Sequence, residues 1–355
     1  MSPGSRAAGL AAAGAVLDAA VREGVVPGVV AAAGVGDREW SRWIVGSAEL
    51  GAATRPMAVD TVFDLASLTK VTVTLPAVLR LVADGRVGLD EPLARFLPGV
   101  AAGVTVRGAL THTAGLLEQS DFTATVTDHA GLVAAAAQPL RYRPGTRVAY
   151  SDLGFILLGG LVEAVTGTGL AEFARAEVLA PIGSGIRFRP PSDWLPRIAA
   201  TEVVPDADGV PRAVVGRVHD ENASAAGGVA GHAGAFGTLA DLVAVVHAWL
   251  PGVGIASPVL PEWLRDEALR AQTAGLGGSR GLGWTARGDA HDILGPGWGP
   301  AAVSHTGFTG TSLALDPATG RWAVLLTNAL HLGRNRPQVA TLRRDFHACL
   351  AEGRG

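Results

Sequence analysis

The chain has 355 residues, a formal net charge of −3 and 48% hydrophobic residues, enough to bury a sizeable core in one large domain or two interleaved lobes. The near-neutral charge offers no electrostatic case for nucleic acid, and a single Cys, Cys349, excludes an intrachain disulfide framework and a Cys-based zinc site. Lys occurs once, at Lys70, among 29 basic residues, and Thr69 rather than Gly precedes it, which excludes a Walker A loop.

At the N-terminus, Leu10, Ala13, Leu17 and Val21 recur at helical spacing and predict an amphipathic surface helix. The stretch is a poor secretory signal, because Arg6 is its only early positive charge and Asp18 interrupts the apolar run. With no stretch approaching about 20 uninterrupted apolar residues, the expected location is the cytoplasm, with no membrane partner.

Gly28 to Ala33 and Glu39 to Val45 read as two strands about the turn Gly34-Val35-Gly36-Asp37. Helical patterns follow: Leu75 to Ala83, stopped by Asp84-Gly85; Leu153 to Val165, ending at Gly167; and Ala240 to Leu250, with Asp241 in its first turn. Arg187 to Arg217 is rich in Pro and polar residues and reads as a long loop. Thr311 to Leu315 and Trp322 to Thr327 read as strands around the hairpin turn Asp316-Pro317-Ala318-Thr319-Gly320, and Pro337 to Leu350 as a final helix. The two ends can therefore share one antiparallel sheet, with the middle of the chain forming a helical lobe.

Chemistry concentrates at the lone lysine. In Ser67-Leu68-Thr69-Lys70 the residues i and i+3 of a helix share a face, which brings the amine within reach of the hydroxyl. A serine hydroxyl is a weak nucleophile and needs a base; Arg cannot serve, whereas a buried Lys can be neutral near pH 7. A second element, Tyr150-Ser151-Asp152, stands at the edge of the apolar helix, where a tyrosine beside a lysine can move a proton. Read simply as structure, it is a half-buried tyrosine with Asp152 as helix N-cap. A third, Ser304-His305-Thr306-Gly307, leads into the C-terminal strands, where a small Gly lets a substrate lie against the backbone.

Taken in this order, the three elements resemble the signature of the serine β-lactamase and penicillin-binding superfamily: Ser-x-x-Lys, then Tyr-x-Asn or a variant, then Lys/His-Thr-Gly. The Tyr form resembles the class C branch, which includes esterases, D-stereospecific peptidases and transesterases. Leu110 to Leu116, Val218 to Asn222 and Gly227 to His232 also resemble the family. The resemblance implies an α+β, β-lactamase/transpeptidase-like fold in a single domain over 1–355. An α/β lobe, about 8–62 and 296–350, would hold an antiparallel sheet flanked by terminal helices. A mostly helical lobe would span about 63–295.

The resemblance further implies Ser67 as nucleophile and Lys70 and Tyr150 as its activating pair. The backbone N–H groups of Ser67 and Phe308 would form the oxyanion hole, and Asp152, His305, Thr306 and Gly307 would line the substrate cleft. No cofactor or metal is implied. Two departures matter: Asp152 stands where Asn is usual, and His305 where Lys is usual. A neutral His and an added carboxylate both disfavour an anionic substrate. The resulting expectation is a serine hydrolase acting on a small-molecule ester or peptide-like amide. The alternative is an acyltransferase, transesterase or amide synthase using the same acyl-enzyme. A β-lactamase, a D-Ala-D-Ala carboxypeptidase or a non-catalytic sensor ranks below both.

Four other signals carry less. Gly277-Gly278-Ser279-Arg280-Gly281 matches the Gly-x-Ser-x-Gly elbow but lacks a following helical pattern. His219, Asp220, Glu221 and His232 cluster without a metal-ligand spacing, in a Gly-rich segment that reads as a tight loop near the cleft. His112 reads as a structural histidine bonded to backbone. Trp284, Trp298 and Trp322 read mostly as core, with one or two able to form an apolar acyl pocket.

Overall fold

The structure, a computed structural model, describes residues 3–51, 54–250, 252–253 and 259–351. Its main sheet runs, edge to edge, Arg55–Pro56, Arg38–Glu49, Gly28–Val35, Arg321–Thr327, Ser312–Asp316, Val303–Thr306 and Thr285–Ala286, and every adjacent pair is antiparallel. The two chain ends meet at its centre, where Val29 pairs with Thr327 and Val35 with Arg321. The hairpin about Asp316–Gly320 closes with Asp316 opposite Arg321. The edge strand Thr285–Ala286 joins the sheet from upstream of residue 296, so the sheet draws on more of the chain than the expected lobe boundary allowed.

Strand Gly28–Val35 shows the period of two that places side chains on opposite faces. Val29, Ala31 and Ala33 pack with Leu17 of helix Pro3–Arg22 and Phe346 of helix Gln338–Ala351. Val30 and Ala32 face the other way, into the larger core shared with the helical body. The terminal helices are thus pinned to one face, with Trp43 meeting Phe346 edge to face at 5.7 Å. Burying a Val or Leu side chain there stabilises the fold by about 1.5–3 kcal/mol, and an alanine methyl by about 0.8 kcal/mol.

The central region builds that body. A continuous helical stretch opens with a 3-10 turn, Ala66–Leu68, passes through a π segment, Lys70–Thr74, and settles into an α-helix, Leu75–Ala83. It is long and apolar enough to cross a bilayer, and 78% of it is buried inside the molecule. Helix Asp152–Thr166 has Ser151 as its N-cap, whose side chain accepts from the Gly154 N–H, and Gly167 closes it in the left-handed conformation. Asp152 is therefore the first helical residue rather than the cap. Helix Leu239–Trp249 starts with a capping box in which Thr238 and Asp241 satisfy each other's backbone.

The segment read as one long loop, Arg187 to Arg217, instead contains strand Arg187–Phe188, a 3-10 turn Ser192–Arg197 and a small hairpin, Val203–Pro205 with Pro211–Ala213. Strands of two or three residues are too short to show an alternation, so their sequence reads as loop.

Candidate active site

Ser67 lies in the opening 3-10 turn and Lys70 one turn later, at the head of the π segment. Irregular helical turns of this kind gather at functional sites. The Lys70 ammonium donates to Ser67 Oγ at 2.9 Å and to the His232 carbonyl at 3.0 Å, and it forms an ion pair with Asp152 Oδ1 at 2.7 Å. The Tyr150 ring stands beside it, with Nζ 5.1 Å from the ring centroid.

Burial of Lys70 opposes its charge, but the Asp152 carboxylate and Tyr150 together outweigh that penalty and hold its pKa above the ordinary lysine value. Burial alone would favour the neutral amine, and the Asp152 carboxylate favours the ammonium form in this arrangement.

The Gly-rich loop supplies the third Lys70 contact. Gly231 packs so closely on helix Asp152–Thr166 that a Cβ would overlap the Phe155 carbonyl, and the next residue, His232, presents its carbonyl to Lys70. The His232 ring pairs with Asp220 at 2.9 Å, while His219 pairs with Glu202 at 3.0 Å. The clustered His219, Asp220, Glu221 and His232 thus each have a partner, Glu221 meeting Arg334 at 2.6 Å.

Opposite the helix, strand Val303–Thr306 brings His305, Thr306, Gly307 and Phe308 to the same cleft, together with Ser67 and Tyr150. Gly307 is required there, because a Cβ would collide with the Leu65 carbonyl of the serine turn. The cleft has a volume of about 460 Å³. Phe308 is 61% exposed at its lip. His305 is 2% exposed, and its Nδ1–H donates to the Thr306 carbonyl at 2.9 Å. Burial, Lys70 and Arg280 push its pKa well below the usual histidine range, so the ring is neutral.

His112 is the backbone-bonded histidine anticipated: Nδ1 accepts the Ser151 N–H at 3.0 Å, and its ring lies 4.5 Å from that of Tyr150. Burial, then Arg280 and Lys70, also hold it neutral.

Two further expectations are corrected, for Asp152 and for the tryptophans as an acyl pocket, whereas Ser279 stays apart as its sequence context indicated. Asp152 is not among the residues that line the cleft; its contact is with Lys70. Ser279 sits outside the site in a loop, its N–H donating to Asp289. Trp284, Trp298 and Trp322 are buried and none lines the cleft, where Phe308, Leu330 and Val339 form the apolar wall among the described residues.

Among the residues that sequence reasoning missed is Arg280. It is 2% exposed, donates to Thr285 Oγ1 at 2.8 Å and pairs with Asp289 at 3.0 Å. Its guanidinium carbon stands 5.8 Å from the Tyr150 ring centroid, on the cleft wall. Arg334, Arg336 and Arg343 line the same cleft. A lone arginine among many in a loop carries no periodic signal that would have singled it out.

A family model described as Beta-lactamase matches residues 14–348. A protein of Escherichia coli K12 named "Putative D-alanyl-D-alanine carboxypeptidase" is 31% identical over 314 residues, covering 78% of this chain and 71% of that protein. The chain belongs to the β-lactamase family of serine hydrolases. Among solved structures it is similar to EstCE1, described as a hydrolase with promiscuous acyltransferase activity. That match has TM-score 0.76 and 22% identity, over 97% of this chain and 99% of the other. Simvastatin synthase LovD of Aspergillus terreus matches with TM-score 0.77 and 21% identity, over 97% and 98%. SurE matches with TM-score 0.74 and 26% identity, over 95% and 75%. The fold is β-lactamase/transpeptidase-like.

Proposed function

We propose that the protein cleaves an ester or a peptide-like amide through an acyl-enzyme on Ser67. The observation that carries this is the Lys70 ammonium, donating to Ser67 Oγ at 2.9 Å while ion-paired to Asp152 at 2.7 Å. In this reading Ser67 attacks the carbonyl, and the fixed positive charge stabilises the alkoxide as it forms. With Lys70 protonated, the Tyr150 hydroxyl acts as a relay: it takes the serine proton as it gives its own proton to the leaving group, so that the O–H bond formed is matched by the O–H bond broken. The Ser67 and Phe308 N–H groups receive the oxyanion, and water releases the acyl group. His305, Thr306 and Gly307 guide the substrate along the strand. With His305 neutral and Asp152 engaged by Lys70, four arginines and one acid, Glu118, remain as the charged groups on the wall.

A second reading keeps the acyl-enzyme and replaces water by an alcohol or amine. The apolar lip of Phe308, Leu330, Val339 and Ala340 beside the nucleophile favours it, since an apolar wall can hold an acceptor and exclude water. The acyltransferase activity described for EstCE1 and the synthase name of LovD make the same suggestion. Product analysis with an activated acyl ester, in water and with competing alcohols and amines, separates the two. Free acid alone supports hydrolysis, and transfer product exceeding acid supports the acyltransferase. Neither product in excess of a Ser67→Ala control would overturn both.

A further inference from the structure

The residue before the nucleophile is strained. Ala66 has φ +46°, one of three non-glycine residues in the left-handed region among the described residues. For an alanine that conformation costs roughly 1–2 kcal/mol, and it persists only where surrounding bonds over-determine it. Ala66 also sets the peptide plane that carries the Ser67 N–H, so its conformation decides where the Ser67 hydroxyl and N–H both point.

The bonds that hold it converge on one buried carboxylate. Asp64, on strand Phe63–Asp64, is 2% exposed. One of its oxygens accepts the Ala66 N–H at 2.9 Å. The other accepts the His219 N–H at 2.7 Å. Its own carbonyl accepts from Thr309 Oγ1 at 2.8 Å, just past the third motif. The His219 ring in turn packs against Phe308, with centroids 5.9 Å apart, and pairs with Glu202 at 3.0 Å. The Asp64 side chain therefore links the turn that bears the nucleophile to the loop beneath Phe308, whose N–H is the second oxyanion donor in the reading above.

We propose that Asp64 is the positioning residue of this site, its carboxylate locking Ala66 in the left-handed conformation and so aiming Ser67 into the cleft. Two backbone N–H groups face its two oxygens. An ionised carboxylate satisfies both, whereas a carboxamide presents an N–H₂ to one of them. The arrangement is unfavourable for the fold itself. Burial raises the Asp64 pKa to about 6, against the lowering effects of the His219 and Ala66 N–H bonds and the His219 charge, with nearby Asp220 adding to the rise. A buried group that weakens the folded state while it orders a strained turn beside a nucleophile is a feature of function rather than of stability.

The proposal rests on Ser67 being the nucleophile, and the test separates the two. The rate of Ser67 labelling by a fluorophosphonate is measured at about pH 8, where Asp64 is ionised, for the wild-type chain, Asp64→Asn and Asp64→Asn/Ala66→Gly, with thermal midpoints alongside. The expected result is labelling slowed about tenfold or more in Asp64→Asn with no fall in midpoint. Glycine adopts the left-handed conformation freely, so Ala66→Gly in the same background should restore several-fold of the loss. Wild-type labelling absent at Ser67 would overturn the nucleophile reading itself. Labelling at Ser67 that is unchanged in Asp64→Asn, that falls only with the midpoint, or that is not restored by Ala66→Gly would overturn the positioning role alone.

Discussion

The Lys70 ammonium and the Asp152 carboxylate stand 2.7 Å apart, the lysine side chain fully buried and the aspartate one-fifth exposed. Without that carboxylate, burial would act on the lysine with only Tyr150 against it. Asp64→Asn and Asp152→Asn are thus different experiments: the first disturbs the serine turn, the second the charge that faces it. Asp152→Asn should lower the Lys70 pKa and move the alkaline limb of the kcat/KM profile toward neutral pH by about one unit or more. A pH-rate profile with that limb unmoved would show that Asp152 does not govern the charge on Lys70.

Lys70→Arg should reduce turnover by about a hundredfold or more. One compact nitrogen reaches Ser67 Oγ, the His232 carbonyl and Asp152 together, and a planar guanidinium cannot place one donor atom among those three acceptors. Steady-state kinetics on the folded variant provide the check. Turnover within a few-fold of wild type would mean that a diffuse positive charge is sufficient.

Arg280 and Asp289 form an ion pair with both side chains 2% exposed. Removing one partner strands a buried charge, which costs about 3–5 kcal/mol. Arg280→Met should therefore lower stability strongly, and Arg280→Met/Asp289→Leu should recover much of that loss while activity stays low, because the cation beside Tyr150 is still missing. Urea unfolding of the two variants measures the difference. Equal stabilities would contradict the pairing.

Three buried histidines set the acid behaviour of the fold. His112 and His305 are pushed well below the usual range by burial and by the cations Arg280 and Lys70, and His347 falls to about 3 through burial and Arg343. Each is neutral when folded and protonated when unfolded below its ordinary pKa of about 6.5. Their contribution is complete above that value and is lost as pH falls toward the folded pKa, on the order of 2 kcal/mol per histidine at about pH 5. Asp64, shifted upward to about 6, acts in the opposite sense and offsets part of it. The thermal midpoint should fall between about pH 7 and pH 5, and His347→Gln should make that fall shallower. An unchanged slope would show that His347 is not protonated on unfolding.

How much of this was readable beforehand depends on the range over which each group is positioned. Ser67 and Lys70 lie one helical turn apart, so local geometry brings them together. Tyr150 was legible because it precedes a long apolar helix whose start is marked by Ser151 and Asp152. Asp152 itself was located but misassigned, since its direction depends on how that helix is rotated against Lys70. Arg280, Asp64 and the His232 carbonyl were not legible as parts of the site. Each reaches it through loop or short-strand packing at long sequence separation, where no periodicity exists. The sheet was readable at its centre from alternating apolar runs. The two-residue strand Thr285–Ala286 at its edge was not.

The most direct test is peptide mapping by mass spectrometry after reaction with a fluorophosphonate. A single adduct is expected on Ser67, abolished in Ser67→Ala with the fold retained. Folded, active protein that carries no adduct there, or carries it on another serine, would contradict the acyl-enzyme.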